Sequence, residues 1–354
     1  MILRKTVLIA ALTGVLMAPS LTAQAALSWT VTPTKTTPST LDDIDSKGGE
    51  TWAVGSDLID SFSDSRPLAF RWSGTRWVET PQPVRTNATL NSVAVANGNE
   101  VWAVGEDRAQ NKPLAMRWTG TAWKVVPGPA VPTGSFSDVT IAPDGTPWVS
   151  GWADVAGSEH AVVYRYAKGA WQPLTAGLEQ SINGNTLTVL SATDAWVGLN
   201  GGMAHFDGKT WTLATDVPAD GSQIPTNLVA AGPKDIWASG VAHTSKGERP
   251  LVLHYDGKAW KQVATPQIFS QLYDIALFNK KPVAVGEKFT TSGDLITEHP
   301  FVLTLQNGKF VETTSPAAKI GTLSGVEAVG TRLWTVGFHR QATSDSTALA
   351  AHTK

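Results

Sequence analysis

"ETWAVG" (50–55) returns almost unchanged as "EVWAVG" (100–105), and the interval between the two decides the fold. The Trp of that phrase, Trp52, has counterparts at Trp102, Trp148, Trp196, Trp237 and Trp334, and "PVAVG" (282–286) keeps the phrase with Val283 in the Trp slot. The successive steps are 50, 46, 48, 41, 46 and 51 residues, which makes seven copies. A period of this size is the mark of a repeat architecture in which each copy is one supersecondary unit.

Each copy reads as four short strands. In the second they are "LNSVAV" (90–95), "VWAVG" (101–105), "PLAMRW" (113–118) and "AWKVV" (122–126). Short Gly- and Asp-containing segments such as "NGNE", "TGT" and "DGK" separate strand one from two and three from four, as two- and three-residue hairpins require. A second Trp column opens the fourth strand at Trp77, Trp123, Trp171, Trp211 and Trp260, with Phe310 in the sixth copy. The third strand ends in an aromatic in five copies: Trp72, Trp118, Tyr166, Phe206 and Tyr255. The seventh copy stops after its third strand, whereas "LSWTVTP" (27–33) has the Trp-x-Val pattern of a fourth strand and precedes the first copy. The expected fold is therefore all-β: a seven-bladed β-propeller of four antiparallel strands per blade. Its ring is closed by the N-terminal strand, which completes the last blade.

This architecture accounts for 15 Trp beside only 4 Tyr without any ligand. Strands alternate their side chains, so Trp52 and Val54 share one face while Ala53 and Gly55 share the other. Small residues suit the crowded axis and Trp the widening gap between blades, where its N–H is expected to find a backbone carbonyl. Val283 and Phe310 depart from the pattern, which makes blade six the expected weak point of the packing.

Residues 1–25 read as an export leader: a cationic "MILRK", an apolar run, then Ala23-Gln24-Ala25 before the cut. Residues 26–354 form the expected single domain, secreted and extracellular. There is no Cys, so neither disulfides nor thiolate chemistry contributes; about 330 residues can bury a core without such staples. A net charge of −2 with 16% charged residues argues against nucleic acid or an anionic membrane as partner. A monomer is expected.

Connections from strand two to three, and from blade to blade, emerge on one side and vary in length, from "SDLIDSFSDSR" in blade one to "LNGG" in blade four. Variation on one face of a regular scaffold is where function concentrates. Candidate partner-binding residues on this face are Asp60, Arg66, Asp107, Arg108, Glu248, Arg249 and Arg340, whose mixed signs suit a protein better than a polyanion. No His pair has metal-ligand spacing, no alternating carboxylate run makes a calcium loop and no G-x-S-x-G elbow is present. Catalytic residues, a metal and a cofactor are accordingly not assigned. Glu159-His160 and Glu298-His299 read as a repeat position. "DGKTW" (207–211) resembles the Asp-box of sialidases but is one residue shorter and lacks the preceding Ser, as turn convergence would produce.

Across nearly all of residues 26–354, the "WAVG…RW-x-G-T-x-W…P" pattern resembles secreted β-propellers of actinomycetes. It lacks the Gly-His and Trp-Asp pairs of WD40 repeats and the Gly-Gly of kelch. The resemblance implies a non-enzymatic protein that promotes autolysis of a neutral metalloprotease and donates glutamine to a transglutaminase. Gln110 and Gln341 in polar variable loops, and Gln82 in a blade link, are the candidate cross-linking sites. A carbohydrate-binding propeller and a glycoside hydrolase or lyase using carboxylates of the variable face are the alternative readings.

Overall fold

In the computed structural model, the described residues are 27–58, 65–84, 87–215, 217, 222–293, 295–316, 319–340 and 345–354. The expected leader and two of the candidate residues, Asp60 and Gln341, lie outside them. Seven four-stranded antiparallel sheets form a ring, with no helix among the described residues. Blade one comprises Ser39–Lys47, Glu50–Leu58, Ser65–Trp72 and Trp77–Glu79. Blades two to six repeat that order from the axis outward. Blade seven takes Ile320–Val329, Arg332–Arg340 and Thr347–Thr353 from the C-terminal part of the chain and its outermost strand, Trp29–Thr32, from the N-terminal part. Trp29 pairs with Thr353 and Thr32 with Ala350, the closure that the sequence pattern requires.

The alternation inside "ETWAVG" sorts its side chains as expected. Trp52 and Val54 join Leu90, Val93 and Ala103 of blade two in one core cluster, whereas Ala53 joins Leu41, Ile44 and Trp334 in another. Each second-strand Trp meets the outer aromatics of the following blade. Trp52 lies 5.1 Å from Trp118 and 5.4 Å from Trp123, and Trp334 lies 4.8 Å from Trp72, measured between ring centroids. The ring planes are inclined at 55° to 87°, which turns a positive ring edge toward a negative ring face. Val283 and Phe310, the expected weak points, are only 3% and 2% exposed. Trp29 and Phe278 pack on the cluster that contains Val283.

The indole N–H groups find acceptors of three kinds: a backbone carbonyl, as expected, a Thr hydroxyl for Trp77 and Trp123, and a carboxylate. Outer-column Trp211 donates to the carbonyl of Leu174 at 2.7 Å and Trp29 to that of Thr314 at 2.8 Å. In blades two and five the second-strand Trp donates instead to the acid two residues earlier: Trp102 to Glu100 at 3.0 Å and Trp237 to Asp235 at 2.9 Å. A spacing of two puts both side chains on one face of a strand, so the acid can accept from the ring beside it, whereas in blade one Glu50 is taken by Arg71.

The phrase-ending Gly has a separate cause. Every first strand carries a β-bulge, at Asp42 in blade one and Asn91 in blade two, and the strands close up just before it. A Cβ on Gly105 would stand 2.1 Å from the carbonyl oxygen of Thr89. Blade four has Leu199 at this position, opposite Gly184, whose Cβ would instead meet Ser150 and Gly151 of blade three at 3.1–3.3 Å.

Two expected loops are strands. The second hairpin of blade five continues its ladder to Thr244 and Gly247, and that of blade six runs through Lys281–Ser292 and Leu295–Gln306. The blade-six hairpin therefore stands out from the variable face as a paired ribbon.

Candidate functional site

The seven first strands surround a central channel, and the bulges govern what faces it. A bulge inserts one residue into a strand and re-aims its side chain. The seven inserted residues are Asp42, Asn91, Ser137, Asn185, Thr226, Tyr273 and Ser324, one per blade and all polar. All seven line a cavity of about 310 Å³ at the channel mouth, toward the variable face. Deeper in, a second cavity of about 350 Å³ is lined by Asp43, Asp45, Asp138, Asp274 and Glu327 among others.

The deeper carboxylates have a structural task. A first strand is an edge strand, so its axis-side N–H groups lack a ladder partner. Asp43 of blade one accepts from the backbone N–H of Val93 in blade two at 2.8 Å and from the Ser92 hydroxyl at 2.9 Å. Asp138 of blade three does the same for Leu187 of blade four at 2.7 Å, and Asp274 of blade six for Val326 of blade seven at 2.6 Å. Asp45 accepts from Val95 at 2.6 Å. Each acid thus staples its blade to the next.

Confinement of so many carboxyls raises their proton affinity. Burial, opposed by Thr40 and Arg108 and assisted by the Asp43 charge, pushes Asp42 up to about 7. Burial and then the Asp43 charge push Asp138 up to about 7, and burial with the Asp43 charge pushes Asp45 to about 6. Asp274 and Glu327 are raised well above the usual range, first by burial and then by neighbouring acids. No group of three or more His, Asp or Glu among the described residues is arranged to hold a metal ion.

On the surrounding face the described candidates are tied down in separate pairs. Arg66 donates to Asp57 at 2.6 Å, and Lys35 reaches the same carboxylate at 2.9 Å. Burial works to raise Asp57, but these two cations outweigh it and hold its carboxyl below the usual range. Asp107 accepts the Gln110 side-chain amide at 2.6 Å, and Arg108 stands 3.6 Å from Glu106. Arg249 donates to the carbonyls of Lys246 and Glu248 at 2.7 Å each, which closes its own turn. Arg340 pairs with Glu298 at 2.5 Å and fastens the blade-six hairpin to blade seven. Gln110 is exposed at a turn tip, whereas Gln82 is partly buried and donates to the carbonyl of Thr80 at 2.7 Å. His160 and His299 each stand two pairs beyond the crowded Gly, on Ala153 and Lys288, which is the repeat position expected for them.

One candidate does lead to the channel. Glu248 accepts from Gln271 at 2.6 Å, the Tyr273 hydroxyl lies 3.2 Å from the Gln271 oxygen and donates to Glu287 at 2.6 Å, and Thr322 donates to the other Glu287 oxygen. Burial first and the Glu287 charge second raise the Tyr273 hydroxyl, so it remains a donor. The bulge collar and the stapling acids were missed in the sequence reading. The signal available was "LDDID" (41–45), "FSD" (136–138) and "LYD" (272–274), an acid recurring at one register of the first strand.

No protein-family model matches the chain, and no curated protein matches it in sequence. Several solved structures are similar in shape. The β-propeller domain of the Trilobed protease from Pyrococcus furiosus is 8% identical with a TM-score of 0.55, over 90% of this chain and 94% of that one. A Trypanosoma rangeli sialidase in complex with the inhibitor DANA is 10% identical with a TM-score of 0.48, over 90% of this chain. This chain spans 55% of the sialidase's length. YCF48 bound to D1 peptide is 16% identical with a TM-score of 0.39, over 83% of this chain and 98% of that one. What the chain shares with solved structures is the β-propeller fold.

Proposed function

We propose that this chain is a secreted, non-catalytic propeller that binds a protein partner through its variable face. The partner is a neutral metalloprotease whose autolysis it promotes, the role implied by its resemblance to dispase autolysis-inducing protein. The observation that carries this reading is the blade-six hairpin. Leu295 and Ile296 are 65% and 53% exposed at its tip. Its base is held by Arg340 on Glu298, by Lys288 on Glu312 at 2.5 Å and by Phe269 against Phe289 at 4.6 Å. A ladder-paired ribbon that exposes Leu295 on one face and Ile296 on the other loses little freedom on docking, which helps a small anchor gain affinity. The paired-off charges around it supply a polar rim rather than a set of reacting groups.

Incubating the protein with a neutral metalloprotease, and following protease activity and fragments, tests the reading. Faster loss of activity with self-digestion fragments is expected, and Leu295→Ser with Ile296→Ser is expected to abolish the effect while leaving the melting temperature unchanged. A protease that decays at the same rate with and without the propeller rejects it. As a transglutaminase substrate, the chain should be labelled by an amine donor at Gln110 and Gln341 before Gln82, which is partly buried. Peptide mapping that finds label only at other Gln residues would sink that assignment.

A further inference from the structure

We infer that a pocket on the outer shoulder of blade three binds a small uncharged molecule with an apolar body and one hydroxyl, at a site apart from the blade-six hairpin. The strand lengths open this pocket. The third strand of blade three runs over Ser158–Ala167, whereas the fourth covers only Ala170–Pro173 and pairs no further than Tyr164. The link that follows continues along the uncovered part. Leu174 donates its N–H to the carbonyl of Val163 at 2.8 Å, and Ala161 donates its own to the carbonyl of Ser181 at 2.8 Å. Two successive turns shape the link: the Leu178 N–H bonds the Thr175 carbonyl at 3.0 Å, and the Ser181 N–H that of Leu178 at 2.9 Å. They leave a cavity of about 440 Å³, within the range of small-molecule sites.

The walls are aliphatic, from Val131, Pro132, Val155, Val162 and Leu178, and Tyr164 brings a phenol to them. Tyr164 is 7% exposed, and its hydroxyl has no hydrogen-bond partner among the described residues. Burial alone holds that hydroxyl above its usual pKa range, with no bond or charge acting beside it. Packing does not call for a hydroxyl here. Tyr164 pairs with the residue after the phrase Trp, and the other six blades place Phe70, Met116, Ala204, Leu253, Leu303 and Ala351 at that position. All six are apolar. His160, which also lines the cavity, shows a similar contrast. At its repeat position His299 is hydrogen-bonded to Thr290 at 2.8 Å and to the Lys319 carbonyl at 2.6 Å, whereas His160 has no such bond among the described residues. A buried polar group without a partner is costly, and a ligand that supplies the partner recovers that cost.

Tyr164 and His160 can each donate or accept, and a ligand hydroxyl meets either need with one group. A charged group beside Tyr164 would lose its hydration among aliphatic walls. The carboxylates of Asp154 and Glu179 also line the cavity, Asp154 accepting from the Gly157 N–H at 2.8 Å and Glu179 from that of Gly177 at 3.0 Å. No Lys or Arg lines it, and Lys112 reaches the wall at the carbonyl of Val131, 3.2 Å away. An anion is therefore disfavoured. A cation gains little in exchange, because Glu179 is exposed and an ion pair there is weak. The ligand that fits is neutral, apolar along its body and hydroxylated at the end that meets Tyr164.

Titration of the full chain with para-ethylphenol at neutral pH, followed by calorimetry and methyl NMR, tests this. Ethylbenzene, which lacks the hydroxyl, and para-ethylbenzoate, which replaces it by a charge, are the comparison ligands. Saturable one-to-one binding of the phenol, with shifts at the Val131, Val155, Val162 and Leu178 methyls, is the expected result. Ethylbenzene should bind about tenfold more weakly, and the benzoate not at all. Tyr164→Phe keeps the ring and removes the hydroxyl. It should weaken the phenol about tenfold and leave ethylbenzene unchanged, a split that a merely structural role would not produce. The ligand comparison on the parent chain stands by itself should the variant fold poorly. Absence of saturable phenol binding, shifts confined to other residues, ethylbenzene bound as tightly as the phenol, or a Tyr164→Phe variant that changes both ligands alike overturns the proposal.

Discussion

The imidazole of His254 lies flat on the indole of Trp237, with centroids 4.0 Å apart and planes 19° from parallel. Asp235 accepts from both rings, at 2.8 Å from His254 and 2.9 Å from Trp237. Blade two places a guanidinium in the same position of this bracket: Arg117 stands 5.7 Å from the Trp102 ring centroid, and Glu100 accepts from Trp102 and forms an ion pair with Arg117 at 3.0 Å. The acid two residues before each of these Trp residues therefore contacts both the ring and the side chain that covers it. Trp237→Ala should cost about 4 kcal/mol, because the ring fills the gap to Phe310 of blade six. Asp235→Ala should cost about 1 kcal/mol, the loss of hydrogen bonds at a partly exposed site. Urea unfolding of the two variants checks the ratio; equal losses would mean that the acid, not the ring, carries the bracket.

Ring closure rests on Trp29–Thr32, whose outward neighbour is solvent and whose inward neighbour is Thr347–Thr353. Removing residues 27–33 leaves that strand as a bare edge and takes Trp29 from beside Val283. The truncated chain should melt lower and lose blade seven first to limited proteolysis. Moving the same seven residues to follow Lys354 through a short linker should restore the parent stability.

The staple acids separate acceptor from charge. Asp274→Ala orphans the buried N–H of Val326 and should cost about 2 kcal/mol. Asp274→Asn keeps an oxygen for that N–H and removes a confined charge, so it should cost less than Ala, most clearly above neutral pH. Thermal melts at pH 8 that rank Asn below Ala would contradict the stapling role.

Raised carboxyl affinities set the pH profile. Asp42, Asp45 and Asp138 hold their protons to about 7, 6 and 7, so the folded state binds protons that the unfolded chain releases near 4. Their contribution is complete at low pH and is lost as pH rises through 6 and 7. Asp57 runs the other way, since its depressed carboxyl contributes only above the unfolded value. Stability should therefore peak near pH ~4, above which the unfolded chain releases protons that the folded state keeps, and fall steadily from there to pH ~8. A denaturant series across that range reads it directly, and a maximum above pH ~7 would contradict it.

Gly105 stands where the strands close before a bulge, and its Cβ would meet a carbonyl that cannot move without breaking the ladder. Gly105→Ala should cost about 2 kcal/mol. The same change at Gly145, which has no neighbour within 4 Å of its Cβ but a φ of 85°, should cost about 1 kcal/mol, from backbone strain alone. Melting curves of the two variants distinguish crowding from strain.

The sequence by itself determined the blade count, the strand order within each blade, the closure by "LSWTVTP" and the two faces of "ETWAVG". All of these follow from local periodicity: a period of two within strands and a recurring Trp between them. It also marked the variable face and the polar loop that carries Gln110. What only the tertiary structure decided is what meets across blades. The loops expected after the second strands of blades five and six proved to be ladder, because polar residues pair as well as apolar ones when both edges are in register. The charges of the variable face, read singly, resolved into pairs whose members lie up to tens of residues apart. The collar stayed hidden for a similar reason. A bulge shifts one residue per strand toward the axis, and seven unlike residues (Asp, Asn, Ser, Asn, Thr, Tyr, Ser) become one site only when the ring closes around them.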